Sequence, residues 1–277
     1  MNRSILLKRM RKSPFFVVGL ILMVIVVLVV LIGPYLCKYD PIGMDLISRL
    51  QAPSSIHIMG TDQMGRDVLT RMIFGGRSSL LIALSAVFLQ LIIGTVLGLF
   101  AGFYGGTFDT IVMRACDIVL SIPNIVLGLA IMSVLGPSIP NLVGVLVFSG
   151  WVRYARVTRN NVMVVKKQEF VSSSKVMGAS SPHIIFKQIL PNVTTSLIIL
   201  ASSRIGNAII LEAALSFLNL GIPAPQPSWG NMITDGRQYL ATCPWLVVAP
   251  GMALMITVLA FNFMGDGLRD VLDPKKV

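Results

Sequence analysis

Cysteine and histidine are nearly missing from this chain of 277 residues: there are three of the first (Cys37, Cys116, Cys243) and two of the second (His57, His183). Thiols this few and this scattered exclude a disulfide framework or a Cys-based zinc site, and two distant imidazoles are a poor start for any metal centre. No metal site is expected. Charge is scarce as well, at 13% of residues against 55% hydrophobic, and the mean hydropathy is +0.80. Such a chain is too apolar for one water-soluble core and must place most of its length in lipid. No Gly-x-x-x-x-Gly-Lys-Ser/Thr string occurs, so the chain has no P-loop to cradle nucleotide phosphates. With no His-Glu-x-x-His and no Ser/His/Asp group on a common face, no catalytic residues are assigned and an intramembrane enzyme is disfavoured.

What is present is a series of apolar runs. Residues Phe15 to Gly33 are uninterrupted and long enough, at about 1.5 Å per residue, to cover nearly all of a hydrocarbon layer of about 30 Å. The run is too long for the core of a signal peptide and ends in Gly33-Pro34-Tyr35, so an uncleaved first span is expected. Comparable windows follow near Ser79 to Ala101, Ile111 to Leu135, Ile139 to Val157, Val193 to Phe217 and Trp245 to Met264. The fold expected is all-α and polytopic, with six transmembrane helices. Its parts divide at about residue 78. An N-terminal tail, first span and long outer segment (1–78) precede a five-helix core (79–277) with an inner loop at about 158–192 and a second outer loop at about 218–244.

The formal net charge of +11 follows from topology. Six of the 23 Lys and Arg residues fall in the outer loops (Lys38, Arg49, Arg66, Arg71, Arg77, Arg237), Arg204 falls within a span, and the rest fall inside, among them Arg3, Lys8, Arg9, Lys275 and Lys276. The positive-inside rule therefore puts both termini in the cytoplasm, and the excess gives little reason to invoke nucleic acid. Cys37 and Cys243 both fall outside; a bridge would need close loops, and free thiols are expected.

Between the fourth and fifth spans the chain reads Glu169-Phe-Val-Ser172-Ser173-Ser174-Lys175-Val-Met-Gly178-Ala-Ser-Ser181-Pro182-His183 and continues to Gln188-Ile-Leu190-Pro191. Gly178 can end a first short helix at positive φ, Ser181 can cap a second with Pro182 in its first turn, and Pro191 can redirect the chain into the fifth span. Small side chains on such a hairpin let another protein come close; an interfacial hairpin on anionic lipid is the plainer reading. The small triplet, the Gly and the final Leu-Pro resemble the EAA loop of permease subunits of ABC importers, although the triplet is all Ser and Gln188 stands where Ile is often found. The resemblance implies a type I importer fold with cytoplasmic coupling helices. It makes Glu169, Ser172, Ser173, Ser174, Lys175, Gly178 and Pro191 the segment through which partner ATPase subunits would drive the membrane part.

Before the second span stands Gly60-Thr61-Asp62-Gln-Met-Gly65-Arg66-Asp67-Val-Leu-Thr-Arg71. Read physically it is a helix start, with Thr61 as N-cap and acid-first i,i+4 pairs Asp62–Arg66 and Asp67–Arg71. The same string, with Gly75-Gly76-Arg77-Ser78-Ser79-Leu80, Glu212 to Gly221, Pro227-Ser228-Trp229-Gly230 and Asn262 to Asp270, is similar to one permease of the dipeptide, oligopeptide and nickel importer family; Asn219 replaces a usual Gly. The resemblance covers essentially the whole chain. It implies a bacterial inner-membrane subunit paired with a homologous second permease and two ABC ATPase subunits, fed by a periplasmic or lipid-anchored solute-binding protein. ATP and Mg²⁺ would be bound by the ATPases, leaving this chain without a cofactor of its own. Asp62, Arg66, Asp67 and Trp229 become candidates for binding-protein docking or an outer gate. Peptides, a nickel chelate and a glutathione-like solute all remain compatible as cargo.

Inside the membrane the fifth span holds Arg204 and Asn207 on one face, with Glu212 toward its outer end; charge at that depth costs several kcal/mol and should face protein or water. These residues, with Asp117 of the third span, are the candidate translocation pathway. Arg204 is expected either to meet a carboxylate of another span or partner, or an anionic substrate. Arg114 and Asp117 are spaced to satisfy each other, and Pro123, beside Asn124, should kink the third span or free a carbonyl there. A self-sufficient secondary carrier or channel using Arg204, Glu212 and Asp117, and a membrane anchor or sensor, are the competing classes.

Overall fold

The computed structural model describes residues 10–272, which leaves the N-terminal Arg3, Lys8 and Arg9 and the C-terminal Lys275 and Lys276 outside the described residues. The described chain is helical, with helices α1 (Pro14–Leu36), α2 (Val68–Tyr104), α3 (Gly106–Ser121), α4 (Asn124–Leu135), α5 (Ile139–Val165), α6 (Glu169–Val176), α7 (Ser181–Phe217), α8 (Trp229–Gly236) and α9 (Trp245–Leu272). Helices α1, α2, α7 and α9 are long and apolar enough to cross a bilayer, and α3 with α4 would make a fifth crossing. Helix α5 is 27 residues long but carries Arg153, Arg156 and Arg159, which make it too polar to count with them.

Two of the expected span boundaries move. Helix α2 starts at Val68, capped by Asp67, whose carboxylate accepts from Thr70 N at 2.8 Å. The end of the long outer segment is thus already helix. The third span is broken: α3 and α4 meet at Ile122–Pro123 with a bend of 91°. The expected kink at Pro123 is present, and it is a full corner.

Close helix contacts are made at small residues, as membrane bundles require, because backbones that approach closely gain dispersion contacts lipid cannot offer. Gly94, Gly98 and Gly102 lie one turn apart on α2 and press on the α5 backbone near Trp151, Ala155 and Arg159; a Cβ at any of the three would overlap it. Gly19 of α1 sits against the α9 backbone at Phe263 and Met264, and Gly267 of α9 sits against Phe16. The far side of α1 exposes Ile21, Ile25, Leu28 and Ile32, which suits a lipid-facing surface.

The inner hairpin is not loosely hung. Val171 of α6 and Ile184, Ile185 and Ile189 at the start of α7 are buried in one cluster with Leu99, Tyr154, Val162 and Leu197 of the membrane helices.

Candidate functional site

Helix α6 ends at Val176, and Gly178 follows with φ of +81° as expected. The cap of the next helix is Ser180, not Ser181, which is already the first helical residue. Pro191 also departs from expectation. Its missing N–H and its ring do not redirect the chain; instead Ile184–Ile189 widens to π geometry, Leu190 N donates to Ile185 O, and α7 runs through as one helix. Asn192 Nδ2 donates to Gln188 O at 2.6 Å, satisfying a carbonyl in that stretch. Gln188 Nε2 donates to Ser174 Oγ at 2.6 Å, so one serine of the departing triplet bonds to the other departure from the EAA pattern. Val176 and Met177, 88% and 78% exposed, form an apolar tip. Ser172, Ser173 and Lys175 share the hairpin with it, and a cleft lined by Lys166, Ser172, Lys175 and Ser181 lies alongside.

The outer segment is held by charges buried against one another. Asp62 accepts from Met64 N at 2.8 Å and Arg66 N at 3.0 Å, and pairs with Arg66 Nε at 2.7 Å and Arg71 Nε at 3.2 Å. The expected Asp62–Arg66 pair is therefore present, but on a turn: residues 61–67 fold back through an isolated bridge between Thr61 and Asp67. Thr61 is no N-cap; its hydroxyl accepts from Gln51 N and donates to Ser48 O. The expected Asp67–Arg71 pair gives way to Asp67 with His57 at 3.0 Å, because Asp67 is spent on the cap and Arg71 turns to Asp62 and to Pro41 O. Gly65, at φ of +73°, passes against the Asp45 backbone where no Cβ would fit. Trp229 is buried, donating its Nε1–H to Met72 O at 2.9 Å, with its ring on Gly76. Asp62, Arg66, Asp67 and Trp229 are all buried residues of a cap folded over α2.

Of the intramembrane residues, Arg204 and Asn207 share a cleft of about 40 Å³ with Gln90, Asn124 and Arg153. Glu212 lies apart and fully buried, accepting from Ser216 Oγ at 2.8 Å, with Ser79 of α2 and the α8 cap Ser228 also within its reach. Asp117 is paired mainly with Arg156 of α5; the expected partner Arg114 is more distant, at 3.8 Å. Arg159 grips Asp109 with two bonds, of 3.0 and 2.6 Å. Gln90, Asp109, Arg153, Arg156 and Arg159 are not singled out by the sequence, in which the three arginines count only among the inner charges. Their spacing of three along an unbroken helix was the available signal. Cys37, Cys116 and Cys243 are free.

Comparison with known proteins agrees with this architecture. Residues 94–277 match the family described as binding-protein-dependent transport system inner membrane component, and residues 4–53 match the N-terminal TM domain of oligopeptide transport permease C. The dipeptide transport system permease protein DppC of Alkalihalophilus pseudofirmus is 41% identical over 97% of this chain and 88% of its own length. The oligopeptide permease OppC of Bacillus subtilis is 38% identical over 96% and 88%, and the glutathione permease GsiD of Pectobacterium atrosepticum is 40% identical over 87% and 80%. An inward-facing structure of the MetNI methionine ABC transporter shares the fold, with a TM-score of 0.58 at 20% identity over 73% of this chain and 96% of that one. An all-α bundle with an inner hairpin, matched along its length by these relatives, belongs to the family of binding-protein-dependent transport system inner membrane components.

Proposed function

We propose that this chain is the permease subunit of an ATP-driven importer of short peptides, working with a homologous second permease and two ATPase subunits that bind ATP and Mg²⁺. Membership of the family makes the chain an inner-membrane transport subunit rather than an enzyme, and implies ATPase and substrate-binding partners. Relatives named for dipeptides, oligopeptides and glutathione support the cargo class, glutathione being itself a small peptide.

One observation carries the mechanism: the exposed Val176–Met177 tip belongs to a hairpin whose other face, Val171, Ile184, Ile185 and Ile189, is built into the membrane core. A partner that grips the tip and moves it must move the ends of α5 and α7 as well, since close-packed interiors transmit displacement rather than absorb it. Glu169, Ser172 to Lys175, Gly178 and Pro191 are the coupling segment in this reading. The pathway runs past Arg204, Asn207 and Asp117. Glu212, at the meeting of α7, α2 and the α8 cap, and the Asp62–Arg66–Asp67–Trp229 cap serve the outer gate, held in shape from within.

Gly178→Asp tests the coupling. In the assembled complex it should leave membrane abundance unchanged while ATP hydrolysis continues without peptide uptake. Uptake that still tracks hydrolysis would refute the assignment.

A further inference from the structure

Arg153 and Arg204 face one cleft from two different helices near their midpoints, α5 and α7. They are close enough to repel each other. Among the described residues neither has an ion pair, and the buried Arg204 Nε has no hydrogen-bond partner. Every other acid–base pair found in the described bundle lies elsewhere: Asp117 and Asp109 are taken by Arg156 and Arg159. Two cations at mid-span without a counter-ion are costly in lipid, and the arrangement is stable only if an anion or water meets them.

The rest of the cleft is polar. Gln90 is held there by donating to Leu146 O at 2.8 Å, and it fits only because residue 150 is glycine, where a Cβ would overlap the carboxamide. Asn207 and Asn124 add amide groups. Asn124 is also the first residue of α4, the helix that begins at the 91° corner. Its first turn therefore presents unpaired N–H groups and the positive end of a helix dipole at the depth where half-helices meet anionic substrate groups in broken spans. Four separate helices thus bring cationic or polar side chains to one cleft. The cleft, about 40 Å³, has room for about three waters, each needing about 10–15 Å³, which suits a carboxylate head rather than a whole peptide.

We infer that Arg153 and Arg204 form a mid-span station for a carboxylate, which receives the C-terminal carboxylate of the peptide as it passes. This rests on the peptide reading above. The two guanidinium planes can each offer paired N–H groups to carboxylate oxygens, and only the anionic end of a peptide suits them. Gln90 and Asn124 help fix its position.

The test uses the complete assembly in proteoliposomes, with trialanine and trialanine amide as probes, each supplied at saturation of the binding protein. The wild type should import the acid about tenfold faster than the amide, the size of one charge-assisted hydrogen bond. Arg204→Gln and Arg153→Gln should bring the ratio near one by slowing the acid, and Arg204→Lys should keep part of it. Equal slowing of acid and amide in the Gln variants would overturn the station and leave the arginines a structural role. Failure of the Gln variants, but not the Lys variant, to assemble with the second permease would also overturn it, by assigning the site to a partner's carboxylate. A wild-type assembly with active ATPase that imports neither probe would overturn the peptide reading, and the station with it.

Discussion

Gln188 and Ser174 are joined by a 2.6 Å hydrogen bond that ties the π-widened start of α7 to helix α6. Each is a departure from the EAA pattern, and each makes sense of the other. Both side chains are partly buried, and a polar group held out of water that loses its partner costs more than the bond itself contributes.

Replacing one member should therefore hurt more than replacing both. Gln188→Ile or Ser174→Ala alone is expected to cost about 1–2 kcal/mol at the hairpin and to lower the uptake obtained per ATP hydrolysed. The double variant should recover most of that loss. A double-mutant cycle on thermal unfolding and on coupling measures it, and strictly additive losses would show that the bond carries nothing.

The glycines of α2 offer a second measurement. Gly98→Leu would drive a side chain into the α5 backbone at Ala155, and Gly94 and Gly102 sit in the same row. Such overpacking costs typically about 1–3 kcal/mol and more where backbone must move. The variant should lose membrane abundance or melt at lower temperature in detergent, whereas Gly144→Leu, where a Cβ meets open space, should not. Similar losses at both positions would contradict the packing account.

Asn219 explains another departure. It has φ of +60° beyond the end of α7, and Leu220 N donates to Leu215 O while Asn219 N donates to Ser216 O. That pair of bonds is the Schellman ending, which wants glycine and accepts asparagine. Asn219→Gly should be neutral or stabilising, and Asn219→Val should cost about 1–3 kcal/mol through the strained backbone. Thermal unfolding of the two variants gives the order, and its reversal would sink the explanation.

Asp235 on α8 gives a pH dependence. Burial pushes its carboxyl above the ordinary range, and the pull of Arg71 and Arg66 opposes this without cancelling it. An acid whose folded pKa exceeds its unfolded one imposes no penalty below the unfolded value. The penalty grows as pH rises through the folded pKa and is complete above it. Asp235→Asn should therefore raise the melting temperature modestly at pH 7, with the gain gone near pH 4. A loss of stability at pH 7 would mean that the 3.8 Å contact with Arg66 outweighs the burial.

Much of this architecture is legible in residue order because lipid imposes a simple rule, that spans be long and apolar. Phe15 to Gly33 and Trp245 to Met264 lie wholly within α1 and α9. Gly178 declares its turn because few other residues tolerate that φ. Pro123 announces a break but not its 91° angle, which depends on what the two halves pack against. Partner choice is the part that residue spacing misjudged. Asp67 and Arg71 are set four apart, yet folding offers each a better partner from elsewhere, His57 and Asp62. Arg153 was hidden for a related reason. Arginine reads as loop unless a polar neighbour across the bundle is known, and Gln90 and Asn124 come from distant parts of the chain.

Phe15 and Phe263 lie 5.7 Å apart between ring centres, and Gly19 and Gly267 let α1 and α9 touch backbone to backbone. Of the described helices, α1 leaves the ribosome well before α9, so the face that Gly19 offers to α9 is filled only once α9 is threaded. Until then α1 must wait in the bilayer with its glycine face unoccupied. Biogenesis thus leaves this clasp until late, and whatever trims α9 strips α1 of its backbone contact.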